Sequence, residues 1–178
     1  LMRRVVVTGL GIVSPIGNNA AEVLTSLKAG KSGIEANAEM AEHGFRSQIA
    51  GNVKLNIADH VDKRTLRFMG PGAAYSYIAM KQAIEDAGLE DGQVMNTMTG
   101  VIAGSGGPST SAMFAAHKVV ENTGATKRIG PFAVPKTMSS KVSANLATAF
   151  QIKWMNSSIA SDCFTSLHCI GLAAQLVA

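Results

Sequence analysis

Three short apolar runs, each followed by a glycine or small polar turn and then by a helix-patterned stretch, constrain this chain most. They are Arg3–Thr8 with its Val-Val-Val, Thr99–Ala103, and Gln151–Ile159. Such runs are the length of buried strands and far short of the roughly 20 apolar residues a spanning helix needs. Strand, tight turn and helix in repetition predict an α/β fold: a mostly parallel sheet with covering helices. At 178 residues and 47% hydrophobic content, the chain can build one domain with a real core. Its 18 glycines and 5% aromatic content suit tight α/β turns better than a β-sandwich.

The helix signals are local and specific. Asn18 or Asn19 can cap a helix over Ala20–Lys28, stopped by Gly30. Ala74, Ile78, Ala79, Ala83 and Ile84 recur at helical spacing within Ala73–Ala87, and Gly88 ends that helix. Further helices are predicted from Ser109 or Thr110 to about Glu121, over Thr137–Phe150, and over Cys163–Ala178. Asp62–Gly70 reads as a short charged helix or turn. Lys31–Asn56 reads as loop with a strand near Gln48–Val53, and Asn122–Pro135 as loop. No closing strand follows the last helix, so the layered unit is expected to be incomplete within residues 1–178.

The formal net charge is +4. The basic residues fall in short groups: Arg3-Arg4, Lys63-Arg64 with Arg67, and Lys127-Arg128. No aromatic residues are interleaved with them, which argues against a nucleic-acid stacking platform. Each pair is either a solvated surface or part of a patch that docks an acidic partner. There is no signal-peptide pattern and no membrane span. Two cysteines six positions apart build no disulfide framework, so a reducing, cytoplasmic setting is expected.

Val5–Ser14 contains Gly9-Leu10-Gly11, the start of a dinucleotide fingerprint, but Ser14 stands at the third glycine and no clear acidic partner follows. A turn that lets the chain pass close to another segment explains it better. Gly104-Ser105-Gly106-Gly107 lacks the Gly-Lys-Ser/Thr ending of a phosphate loop and reads equally as a turn lining a cavity. The four histidines lack metal spacing, and neither metal nor cofactor is expected.

Cys163 stands where the last apolar run passes into the last helix. Backbone N–H groups and the helix dipole favour a thiolate there, which suits a nucleophile that holds an acyl group. The alternative is a small core residue in an apolar helix. His168 lies about 500° round that helix from Cys163, so it is expected to be a hydrogen-bonded core histidine rather than the base of the thiol. Cys169 is most simply a packed core thiol.

Val5-Val6-Val7-Thr8-Gly9-Leu10-Gly11-Ile12-Val13-Ser14-Pro15-Ile16-Gly17 resembles the opening of the β-ketoacyl-acyl-carrier-protein synthases. Gly51–Leu55, Arg67-Phe68-Met69, Ala83–Leu89, Ile102–Gly107, Gly130-Pro131-Phe132 and Val142–Ala147 continue the likeness in order. Cys163-x-Thr165-Ser166 and His168-Cys169-Ile170-Gly171 fall where the family carries its nucleophile. The resemblance covers nearly the whole chain and is closest to the type I branch. It implies an N-terminal portion of a thiolase-like fold, a homodimer, and decarboxylative condensation of malonyl-carrier protein with an acyl chain on Cys163. It implies that the Cys163 N–H is one oxyanion donor and that Gly106, Gly107, Met138 and Phe164 lie at the acyl pocket, with Met138 reaching across the dimer. It further implies that Lys63, Arg64, Arg67 and Lys127 meet the acidic acyl carrier protein. The family's catalytic histidines, its lysine and its second oxyanion donor belong to its C-terminal half. The family usually flanks its cysteine with small residues, whereas Asp162 and Phe164 stand here. A carboxylate beside the thiol opposes thiolate formation and is costly to bury unpaired. A second reading is therefore a degenerate or engineered, non-catalytic half that keeps the sheet and dimer surface but not the chemistry.

Overall fold

The computed structural model describes residues 3–178. After an extended N-terminal segment come α1 (Ala20–Lys28), β1 (Ile34–Ala36), α2 (Ala38–Glu42), β2 (Ile49–Gly51), α3 (Lys63–Leu66), α4 (Pro71–Asp86) and α5 (Asp91–Val94). The second half holds β3 (Val101–Gly104), α6 (Thr110–Thr123), α7 (Ala133–Thr137), α8 (Lys141–Ala149), β4 (Asn156–Ile159) and α9 (Thr165–Val177). Single 3-10 turns lie at Ile57–Asp59, Thr126–Arg128 and Asp162–Phe164.

The locally signalled helices form as their caps dictate. The Asn19 side chain accepts the Glu22 N–H at 3.0 Å to open α1, and Gly30 takes the left-handed φ of +62° beyond its end. Pro71 opens α4, where its missing N–H costs nothing, and Gly88 at φ +64° follows its end. The last predicted helix divides: Cys163 sits in the 3-10 turn and α9 begins at Thr165. The loop expected over Lys31–Asn56 holds an antiparallel pair, β1 with β2, and the short α2. The loop expected over Asn122–Pro135 holds a 3-10 turn and the start of α7. The helix expected from Thr137 begins at Lys141, leaving Met138 extended ahead of it.

β3 and β4 pair in parallel, with Val101 opposite Asn156 and Gly104 opposite Ile159. The long connection between them carries α6, α7 and α8, as a parallel pair requires. α8 packs on α4, β3 and β4, and α9 packs on β3. The core lies at that meeting: Val61, Met69, Ala73, Ala74, Ile78, Val101, Val142 and Leu146 are all buried. Burying an aliphatic side chain of this kind contributes about 1.5–3 kcal/mol. Tyr77 stacks on Phe150 beside it, ring centroids 5.1 Å apart.

The Arg3–Thr8 strand does not form. No ladder partner flanks it among the described residues, and Val6 and Val7 are 65% and 81% exposed. β-propensity cannot make a strand without a neighbour to receive its hydrogen bonds. The segment lies instead along α4. A β-carbon on Gly9 or Gly11 would overlap the carbonyl oxygens of Ala83 or Ala79, so the two glycines allow the close passage the sequence suggested, but in extended backbone; the turn expected there falls at Ser14–Gly17 instead. The Leu10 N–H donates to Asp86 Oδ2 at 2.9 Å and the Ile12 N–H to Gln82 Oε1 at 3.0 Å.

Candidate functional site

The parallel pair sets the site. β4 ends at Ile159, the chain turns through Ala160 and Ser161, and Cys163 sits in the 3-10 turn that opens onto the 13-residue α9. Cys163 is exposed and Cys169 is buried, so the core-thiol alternative applies to Cys169 alone. Burial pushes the Cys169 thiol above its ordinary value, which keeps it protonated and inert. The first N–H groups of a helical segment have no partner within it, and the Cys163 N–H is one of them.

The turn is strained and braced. Asp162 stands at φ +49°, in the left-handed region. A non-glycine residue there costs about 1–3 kcal/mol, least for Asp or Asn. Its side chain is exposed rather than buried, so the burial cost expected for an unpaired carboxylate does not arise. Thr165 is 5% exposed. Its hydroxyl accepts the Ser161 N–H at 2.9 Å and donates to the Asp162 carbonyl at 2.8 Å. The Phe164 N–H donates to the Ser161 carbonyl at 2.9 Å and closes the turn.

The Gly104-Ser105-Gly106-Gly107 turn packs beneath. A β-carbon on Gly104 would overlap the Ile159 carbonyl oxygen and stand 2.8 Å from Thr165 Cγ2; one on Gly106 would stand 3.0 Å from the Asp162 carbonyl oxygen. Gly106 and the Cys163 turn are thus brought together. Gly107 and Met138 line one groove of about 240 Å³, with Ser105, Ser109, Lys136 and Lys141. Cys163 does not line that groove. Phe164 is 62% exposed, its ring facing His168 with centroids 6.3 Å apart.

His168 corrects the core reading. It is exposed, with Nδ1 2.9 Å from Ser161 Oγ. Thr165 and Cys169, four apart, are the buried residues of α9, and His168 falls off their stripe. The hydrogen bond was expected; the exposure was not.

The basic residues occupy two segments, and Phe68 and Phe132 lie among them, contrary to the expectation that no aromatic is interleaved. Lys63 and Arg64 lie in α3 and Arg67 caps its end. The Arg67 guanidinium lies over the Phe132 ring, 5.5 Å from its centroid, and Phe68 meets the same ring edge-on at 5.1 Å. Lys127 sits in the 3-10 turn just before Phe132. Among the described residues the one salt bridge is Lys54–Glu35 at 2.8 Å, so none of these four cations is neutralised by a carboxylate. Asp62 is occupied in capping α3: the Thr65 side chain first, then the Thr65 and Arg64 N–H groups, hold its carboxyl below the usual range. Its support for folding is present above the ordinary carboxylate range and is lost as pH falls through the lowered value.

Among the described residues no group of His, Cys, Asp or Glu could hold a metal ion, and no helix is long and apolar enough to cross a membrane.

The comparisons with known proteins converge on one family. The model of the β-ketoacyl synthase N-terminal domain matches residues 2–178. The chain belongs to the β-ketoacyl synthase family. It is similar to the 3-oxoacyl-[acyl-carrier-protein] synthase 1 of Haemophilus influenzae, 52% identical over 99% of this chain and 43% of that one. It thus spans less than half the length of the curated relatives it matches. Among solved structures, a β-ketoacyl synthase from Burkholderia phymatum superposes with a TM-score of 0.85 at 22% identity, over 99% of this chain and 44% of that one. A type II PKS acyl-carrier protein in complex with its ketosynthase matches at 0.71 and 15% identity, over 96% and 45%. These neighbours establish the α/β, thiolase-like fold of a β-ketoacyl synthase.

Sequence reasoning named Thr165 in the cysteine motif of this β-ketoacyl synthase chain but gave it no role of its own. The available signal was a Thr at the start of a helix, a residue type that bonds to nearby backbone.

Proposed function

We propose that residues 1–178 form the N-terminal, nucleophile-bearing portion of a 3-oxoacyl-[acyl-carrier-protein] synthase, with the closing strands of its layered fold supplied outside these residues. The observation that carries this reading is the exposed Cys163 thiol on a braced turn at the N-terminal end of α9. The family match and the 52% identity to a synthase of that name support it.

Cys163 Sγ attacks the thioester carbonyl of an acyl carrier protein. A new C–S bond forms, the carbonyl oxygen becomes an oxyanion facing the Cys163 N–H, and the carrier's sulfur leaves and takes up a proton. Malonyl-carrier protein then loses CO₂. The resulting carbanion forms a C–C bond to the enzyme-bound acyl carbon, and the Cys163 thiolate departs. Gly106, Gly107 and Met138 bound the acyl chain, Phe164 flanks its entrance, and Lys63, Arg64, Arg67 and Lys127 receive the acidic carrier protein. The enzyme is a cytoplasmic homodimer in this reading, with Met138 reaching the partner subunit. The solved ketosynthase bound to its acyl-carrier protein is consistent with the carrier as partner.

Intact mass tests the reading. The full chain incubated with an acyl-carrier-protein thioester should gain one acyl adduct, and Cys163→Ala should gain none. An adduct that survives Cys163→Ala, or none on the parent, overturns it. Asp162 beside the thiol favours the second reading, a non-catalytic half. That reading requires that Cys163 alkylate no faster than a free cysteine at neutral pH.

A further inference from the structure

The left-handed backbone at Asp162 needs something to hold it, and the surrounding structure supplies one side chain that reaches both of its flanks. Thr165 Oγ1 accepts the N–H of Ser161, the residue before Asp162, and donates to the carbonyl of Asp162 itself. Its methyl carbon faces the bare α-carbon of Gly104, where a β-carbon would approach within 2.8 Å. One side of Thr165 therefore keys into β3 while the other clamps the peptide units that lead into Cys163. The hydroxyl of Ser161 is engaged instead with His168 Nδ1 at 2.9 Å. Thr165 is buried, so water does not compete for its bonds.

We infer that Thr165 is a positioning residue for Cys163: its hydroxyl, not its shape, fixes the turn that presents the thiol and the Cys163 N–H at the end of α9. This rests on the reading of Cys163 as the acyl acceptor. Without the clamp the turn relaxes toward ordinary backbone angles, and the thiol and the N–H lose their common aim, a displacement to which reacting groups are sensitive.

Four side chains at position 165 separate hydroxyl from methyl. Thr and Val share one methyl and differ in whether the other branch is a hydroxyl or a methyl, and Ser and Ala differ in the hydroxyl with no branching methyl. Thr165→Ser, Thr165→Val and Thr165→Ala are made in the full chain. Acyl transfer from an acyl-carrier-protein thioester and alkylation of Cys163 by iodoacetamide are both timed. The buried Cys169 on the same helix reports folding, since it stays unlabelled while α9 is packed. The expected result is that Val and Ala slow acyl transfer at least tenfold and alkylation at least threefold, while Ser stays within threefold of the parent in both. Should Val expose Cys169, the Ser and Ala pair decides alone. The inference is overturned if Ser and Ala slow together while Val does not, or if Val and Ala match the parent. A parent that takes no acyl group defeats the acceptor reading instead, and the alkylation ranking still decides the role of Thr165.

Discussion

Asp162 shows how one residue carries two opposed demands. Its backbone occupies a left-handed turn that Asp tolerates better than most side chains, and its carboxylate stands next in sequence to the thiol. A negative charge there opposes a second one on sulfur. The side chain is exposed, so solvent screens the effect. Asp162→Asn keeps the tolerance for positive φ and removes the charge. It should speed alkylation of Cys163 at neutral pH by about two- to fivefold, because contact-distance charges in bulk water are worth only about 1 kcal/mol. The gain should shrink in high salt. An unchanged rate at low salt would show that the carboxylate points away from the sulfur.

At the scale of elements, the N-terminal segment depends on bare backbone against α4. Gly11 passes so close to Ala79 that a single methyl has no room, and Leu10 and Ile12 hang their N–H groups on Asp86 and Gln82. Gly11→Ala should cost about 1–3 kcal/mol, the usual penalty for forcing atoms into a packed contact. The urea midpoint of the full chain would fall with its slope unchanged, and an unmoved midpoint would mean the segment does not bear on stability. This element also shows where sequence reading ends. The helices were legible because caps and stops are local: Asn19, Gly30 and Gly88 act within a turn of where they stand. Val5–Val7 misled because pairing is a property of a neighbour, not of the run. α9 misled differently. It is apolar on several sides, with Leu167 and Ile170 both more than 60% exposed, so periodicity could not tell which stripe faced β3 or place His168. The glycines of 104–107 were legible as a close turn, but not what they approach, since Ile159 and Thr165 arrive from far along the chain.

At the scale of the molecule, the charge is small in sum and uneven in use. The chain carries +4, yet among the described residues only Lys54 is held by a carboxylate. Lys63, Arg64 and Arg67 lie in or at the end of α3, which the Phe68–Phe132–Arg67 cluster ties to Phe132, and Lys127 stands five residues before that ring in a turn packed on α6. The aromatic stack also fixes Arg67 in place, which lowers the entropy lost when it meets an anion. Exposed charges of this kind steer an acidic partner and raise its association rate, and salt screens them within about 10 Å at 0.1 M. For the proposed carrier-protein partner, raising ionic strength from about 0.05 to 0.5 M should therefore weaken association at least tenfold, mainly by slowing the on-rate. Lys127→Glu should weaken it further at low salt and flatten the salt dependence. Phe132→Leu should free Arg67 and loosen the contact with Phe68, weakening association by about two- to fivefold with the charge count unchanged. Surface plasmon resonance with immobilised carrier protein reads all three. An on-rate indifferent to salt and to Lys127→Glu would move the carrier's landing site off these segments and leave the basic residues as ordinary solvated surface.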